Sequence, residues 1–179
     1  MLIIIEGVNG SGKSTLSKHL SSVFNLRIHH PGPKPLTDDI AIAQCISQDS
    51  IYNAILDRAT CISRQVYGDH NEDPEGLDPT HLAIMNLFLS RLIKKDTIFI
   101  HTVGKGEHQL KDYYSEEHIK NIVAKHDELR GRYDKLFERV PHMRYDFETH
   151  TFQEVVEHVY SCVRELESIF GNVPRRSQW

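Results

Sequence analysis

Nine residues near the start of the chain, Gly7-Val8-Asn9-Gly10-Ser11-Gly12-Lys13-Ser14-Thr15, satisfy the pattern GxxxxGK[ST] of a phosphate-binding loop. Backbone N–H groups curl round a phosphate only where no side chain intrudes and unusual backbone angles are tolerated, and Gly7, Gly10 and Gly12 supply that freedom. Lys13 offers a compact cation to the β and γ phosphates of a triphosphate, and Ser14 offers a hydroxyl to magnesium. The N–H groups at the start of the following helix add their dipole. Gly7, Asn9, Gly10, Ser11, Gly12, Lys13, Ser14 and Thr15 are therefore the candidate nucleotide-binding set, with ATP and Mg2+ as the implied cofactors. A glycine-rich turn without a ligand is the alternative, and the strand before the motif and the helix after it argue against that.

A second group, Asp57-Arg58, sets a carboxylate beside a guanidinium. Asp57 suits the magnesium shell together with Ser14, and Arg58 suits a bidentate clamp on a second phosphate. A strand-end ion pair is the bland reading of the same two residues. Lys13, Asp57 and Arg58 are the candidate catalytic residues. Asn9, His30, Lys34, Arg58, Arg64 and Tyr67 are candidates for the acceptor pocket, ordinary helix packing being the alternative for Arg64 and Tyr67. Lys105, His108 and Lys111 lie in a polar stretch that could close over the phosphates as a lid, or stand as a solvated basic loop.

These residues need elements to hold them. Leu2 to Ile5 is a continuous apolar, mostly β-branched run, which reads as a strand buried on both faces, the kind found in parallel sheets. Leu16, Leu20, Val23 and Phe24 recur at helical spacing from about Ser14 to Phe24. Further strands are expected at Leu26–His30, Tyr52–Leu56, Thr97–Ile100 and Met143–Phe147. Helices are expected at about Thr37–Gln48, Ser63–Tyr67, Pro79–Lys94 and Ser115–Arg139, the last with Ile119, Ile122, Val123, His126, Leu129, Tyr133, Leu136 and Phe137 on one side, and from Thr151 to a stop at Gly171. Asp78-Pro79 marks one helix start, and Thr151 with Glu154 forms a capping-box pattern at another. Strands alternating with helices imply an α/β fold whose ligands gather at the C-terminal strand edge.

Composition limits the function classes. With 39% apolar and 26% charged residues over 179 positions, the chain reads as one globular domain, 1–179, carrying a short lid at about 104–112 and a flexible tail at 172–179. A net charge of −4 supplies no general attraction to nucleic acid or to an anionic membrane. No apolar run is long enough for a membrane span. Three cysteines without a CxxC pair suggest neither a disulfide framework nor a zinc site, which fits a reducing cytoplasm. Small-molecule nucleotides are the expected partners, and a homodimer is left open.

EGVNGSGKSTL and DRATCISRQVYG together resemble the motifs EGxDGxGKST and DR(Y/W/H)xxSxxVYG of the thymidylate kinase family, the second as found in its shorter, virus-type members. The resemblance spans most of the chain. HHPGPKP stands where that family has a REPGG-type loop, KGEHQLK where it has a short lid, and MRYDFE at its last strand. It implies a P-loop three-layer α/β/α sandwich with a five-stranded parallel sheet in order 2-3-1-4-5. It also implies magnesium-dependent transfer of the ATP γ-phosphoryl to a deoxynucleoside monophosphate, dTMP to dTDP by default. Carried over by position, Lys13 and Ser14 bind ATP and metal, Asp57 joins the metal shell, and Arg58 holds the acceptor phosphate.

Three positions depart from the pattern. Asn9 replaces an Asp that contacts the sugar 3′-hydroxyl, His29-His30 replaces Arg-Glu, and no Arg matches the base-reading one of the FAxxR helix between Leu36 and Asp49. Thymine therefore comes from the resemblance alone. Related kinases that phosphorylate a hydroxyl place a Glu base after the second strand, and the loop here has no carboxylate. A phosphate acceptor is already anionic and needs positioning rather than deprotonation, which suits Arg58 and Lys34. A deoxynucleoside or polynucleotide kinase using Asp57 as base, and a P-loop ATPase, are the alternatives.

Overall fold

Each residue of the first strand, β1 (Leu2–Gly7), is buried, because the strand lies in the middle of the sheet with helices on both faces. Its side chains alternate between two cores. Leu2 and Ile4 join Ala41, Leu56, Ile62, Met85, Leu89, Tyr133 and Phe137 on one side, while Ile3 and Ile5 join Leu16, Leu20, Val155 and Val159 on the other. This computed structural model describes residues 1–31, 37–68, 78–104 and 116–170, the side chains of 116–119, 121–124, 167, 169 and 170 excepted.

The order along the chain is β1, α1 (Lys13–Phe24), β2 (Arg27–His29), α2 (Asp38–Asp49), β3 (Ala54–Asp57) and α3 (Thr60–Tyr67). Then come α4 (Pro79–Lys94), β4 (Thr97–Thr102), α5 (Glu116–Phe137), β5 (Met143–Tyr145) and α6 (Phe152–Phe170). The five strands are all parallel and adjacent in the order β2-β3-β1-β4-β5, the order that the resemblance implied. Helices α1 and α6 cover one face, and α2 to α5 supply the core on the other. Among the described residues no helix is long and apolar enough to cross a membrane.

Local signals account for several boundaries. Asp78 Oδ1 accepts from Thr80 N at 2.8 Å with Pro79 in the first turn. Thr37 Oγ1 accepts from Ile40 N at 3.3 Å and starts α2. The capping box is present, with Thr151 N donating to Glu154 Oε2 at 2.6 Å and Glu154 N to Thr151 Oγ1 at 3.3 Å. Other boundaries depend on distant partners. β3 begins at Ala54 rather than Tyr52, since Asn53 takes a left-handed φ of 50° that breaks extended pairing. β4 runs two residues past Ile100 because His101 and Thr102 have partners on both sides, Glu6 and Gly7 in β1 and Arg144 and Tyr145 in β5. Of the four residues expected to face inward from α1, Leu16 and Leu20 are buried and Phe24 packs on the core, while Val23 is exposed.

The extension of β4 buries an imidazole. His101 is 1% exposed, stacks on Phe137 at 4.8 Å between ring centroids, and lies 3.7 Å from Asp134. Burial pushes its pKa down to about 4; Asp134 opposes this, while Arg144, His142 and Arg130 add to it. The ring is neutral in the native state at pH 7, and an unfolded histidine takes up its proton near 6.5. Its contribution to stability is therefore complete above pH 6.5 and is lost as pH falls toward 4, on the order of 2 kcal/mol. His101→Phe keeps the stack and removes the titration. Urea unfolding at pH 7 and pH 4.5 should show a smaller acid loss for this variant than for the wild type; equal losses would refute a buried neutral imidazole.

Candidate active site

The register of β1 on β3 sets Ile5 opposite Asp57, so both strands release their loops at the same sheet edge. The first loop turns through Gly7, Gly10 and Gly12, with φ of 149°, 77° and 87°. At Gly7 a methyl group would strike the Thr102 carbonyl, the Thr102 hydroxyl and Ser11 Oγ, so only glycine fits there. Ser11 Oγ lies 2.6 Å from Thr102 Oγ1 and donates to the Val8 carbonyl at 2.8 Å, while Thr102 Oγ1 donates to the Glu6 carbonyl at 3.0 Å. β4 thus braces the loop from the side. Gly12 precedes α1 and packs against the Phe147 ring.

Lys13, the first residue of α1, is buried and donates to the Val8 carbonyl at 2.6 Å. Its pKa lies well below the ordinary lysine value, through burial first and then the positive charge of Arg58, against the pull of Asp57 and Glu6. An anion placed in the loop would reverse that penalty, so phosphate binding and lysine protonation favour one another. Ser14 and Thr15 are exposed at the start of α1. Ser14 Oγ donates to Asp57 Oδ2 at 3.4 Å, and His30 Nδ1 approaches the same oxygen at 3.4 Å. A hydroxyl beside a buried carboxylate is a fit donor set for a hard cation that keeps several waters, as magnesium does.

Arg58 has a left-handed φ of 79°, a strained state for a residue with a side chain, and its N–H donates to the Ile5 carbonyl at 3.1 Å. Its guanidinium lies against the glycine loop. Nη2 donates to Asn9 Oδ1 at 2.7 Å, and Nη1 donates to the hydroxyls of Tyr67 and Tyr133, each at 3.3 Å. The guanidinium also lies over the Tyr67 ring, 5.3 Å from its centroid. Burial opposes the charge, but Tyr133, Tyr67 and Glu6 outweigh it and hold the pKa above the ordinary arginine value.

Behind these groups is Glu6, fully buried at the end of β1. Oε1 accepts from Ala59 N at 2.5 Å, and Oε2 accepts from the Tyr133 hydroxyl at 3.0 Å. Burial raises its pKa to about 7, against the lowering effects of Arg58, the Ala59 N–H, Tyr133 and Lys13. Burial and then Glu6 hold the Tyr133 phenol far above its usual range, so it stays protonated and donates.

The structure thus gathers Asn9, Lys13, Ser14, His30, Asp57, Arg58 and Tyr67 at one edge. Arg64 is turned elsewhere: it is buried, donates to the Gly68 carbonyl at 3.0 Å and pairs with Asp38 at the start of α2. Lys34 and the lid candidates Lys105, His108 and Lys111 lie outside the described residues, as does the tail 172–179. Sequence reading missed Glu6, Thr102 and Tyr133. Glu6 carried a signal, an acid ending an otherwise apolar strand, and Tyr133 stood on the inward stripe of its helix. His126 stands on the same stripe, and its Nε2 lies 3.3 Å from the Asn9 carbonyl.

No protein-family model and no curated protein matches this chain. Its fold is shared with solved structures. The YorR protein from Bacillus subtilis, solved in complex with phosphorylated GDP, is 19% identical with a TM-score of 0.71, over 94% of this chain and 98% of that one. A deoxyadenosine kinase from M. mycoides with bound dATP is 19% identical with a TM-score of 0.62, over 90% of this chain and all of that one. A thymidylate kinase from Candida albicans is 17% identical with a TM-score of 0.55, over 93% and 92% of the two chains. At these identities the likeness is one of architecture, and the five-stranded parallel sheet in order 2-3-1-4-5 with flanking helices is the fold of P-loop kinases.

Proposed function

We propose that this chain is a phosphotransferase that moves the γ-phosphoryl group of ATP to the phosphate of a deoxynucleoside monophosphate. The observation that carries this reading is the pair of cations, Lys13 buried inside the loop and Arg58 half-buried at its mouth. Lys13 is driven toward deprotonation partly by Arg58, so negative charge arriving between or beside them is stabilising. Two nucleotides meeting phosphate to phosphate bring that charge. The fold likeness to kinases, nucleotide kinases among them, agrees with it.

In this reading the glycine loop and the N-terminus of α1 orient the triphosphate, and Lys13 steadies charge that develops on the transferred group. Ser14 and Asp57 would hold magnesium, which when bound would neutralise phosphate charge. Arg58, anchored by Asn9, Tyr67 and Tyr133, presents its guanidinium to the acceptor phosphate and fixes it in line. dTMP is the acceptor that the resemblance to thymidylate kinases suggests. The contact between His30 and Asp57 favours a second reading, in which Asp57 takes a proton from an acceptor hydroxyl and His30 steadies the carboxylate.

A panel of ribo- and deoxynucleosides and their monophosphates, assayed with magnesium and ATP by ADP release, separates the readings. Release is expected to depend on a deoxynucleoside monophosphate. Dependence on an unphosphorylated nucleoside would move the assignment to Asp57 as base, and release without any acceptor would make the chain an ATPase.

The two cations should also separate kinetically. Arg58→Ala should lower kcat/KM for the acceptor by about 100-fold with little change in KM for ATP, the scale of one preorganised charge contact. Lys13→Ala should lower kcat by about 100-fold or more whichever acceptor is saturating. Identical signatures for the two variants would contradict separate roles.

A further inference from the structure

Arg58 is a long, flexible side chain that loses rotamer entropy when it clamps a ligand. Its supports come from two directions. Asn9 and Tyr67 are close in sequence to the loop and to α3, whereas Tyr133 reaches in from α5, 75 positions away. Tyr133 is fully buried, with its ring near those of His101, Tyr67 and Phe137, so its hydroxyl has little freedom. The hydrogen bonds have one direction. Arginine only donates, so the Tyr133 oxygen accepts from Nη1, and its proton is left for Glu6 Oε2. Glu6 binds Ala59 N with its other oxygen, and Ala59 precedes the first residue of α3. One buried carboxylate thus ties β1, α3 and α5 together around a single guanidinium.

We propose that Tyr133 and Glu6 are positioning residues for Arg58, so that α5 sets the orientation of the acceptor clamp before substrate arrives. The proposal rests on Arg58 being that clamp. Neither residue need touch the substrate. Tyr133 holds one terminal nitrogen while Asn9 holds the other, which fixes the guanidinium plane; removal of the hydroxyl leaves Nη1 with Tyr67 alone. Preorganisation of this kind is expressed in acceptor affinity rather than in use of ATP.

Tyr133→Phe keeps the buried ring and deletes only the hydroxyl. The expected result is a rise in KM for the acceptor of about tenfold, with kcat and KM for ATP within about twofold of wild type. Glu6→Gln, which retains only one accepting oxygen, should move the acceptor KM in the same direction. A ligand-free readout accompanies the kinetics: the guanidinium NMR signals of Arg58, identified by their loss in Arg58→Lys. They should be split by slow rotation in the wild type and averaged in Tyr133→Phe. An unchanged acceptor KM, equal losses toward both substrates, or signals still split in the variant would overturn the proposal. A wild type without acceptor-dependent ADP release would instead defeat the monophosphate kinase reading, and the NMR comparison would still decide whether Tyr133 orients Arg58.

Discussion

Ile5 opposite Asp57 is the alignment on which the site depends. Parallel strands release their loops in the same direction, so this one register brings a glycine-rich turn and an Asp-Arg pair to a common edge. A slip of one residue would invert the alternation that sends Leu2 and Ile4 to one core and Ile3 and Ile5 to the other. Both faces of β1 are apolar, so its sequence alone does not choose between those two settings. The choice is made by polar groups at the strand end: the Arg58 N–H on the Ile5 carbonyl, and the Ala59 N–H on Glu6. The bonds that fix the register are the bonds that build the site.

Charge balance follows from the same packing. Glu6, Lys13 and Asp57 are buried with Arg58 half-buried beside them, two acids and two bases, and every one of them has a hydrogen-bond or ion-pair partner. Burying an unpartnered charge costs several kcal/mol, so such a cluster is tolerable only when it is both neutral overall and fully bonded. Within it the distribution is uneven. Glu6 serves Ala59 and Tyr133, beneath the guanidinium, while Lys13 and Arg58 stand at the loop. Two basic side chains thus stand beside the glycine loop in a chain of net charge −4, with the Asp57 carboxylate close by on Ser14 and His30.

How much of this was legible in the sequence differs by range. The glycine loop was legible because its geometry is local: Gly7, Gly10 and Gly12 take their positive φ within a few positions of one another, directly before the helix. The helix starts at Asp78 and Thr151 were legible for the same reason, since each cap bonds within its own first turn. The start of α3 was placed at Ser63, three residues late, because Thr60 N is satisfied by Gln48 Oε1 from α2, which no short-range pattern announces. Arg64 looked like an acceptor ligand in its DR-type motif, yet its guanidinium pairs with Asp38, 26 positions earlier. The most remote case is Tyr133 on Glu6, 127 positions apart. Helical periodicity showed that Tyr133 faces inward; it could not show that a phenol would meet a carboxylate there.

The strain at Arg58 gives the last step. A left-handed φ on a branched-out, non-glycine side chain costs about 1 kcal/mol or more and persists only if the surroundings hold it. Here the holders are identifiable: the Ile5 carbonyl on its N–H, and Asn9, Tyr67 and Tyr133 on its guanidinium. By the alternation of β3, Arg58 keeps to the Leu56 side of the sheet, the side of Val8, Tyr67 and Tyr133. The left-handed turn ends the strand at that point, and there the guanidinium meets both phenols and Asn9. A fold that accepts this penalty, and ties the guanidinium at three points, has its cation oriented before any ligand binds. That is what a site needs if its task is to align two anions rather than to remove a proton.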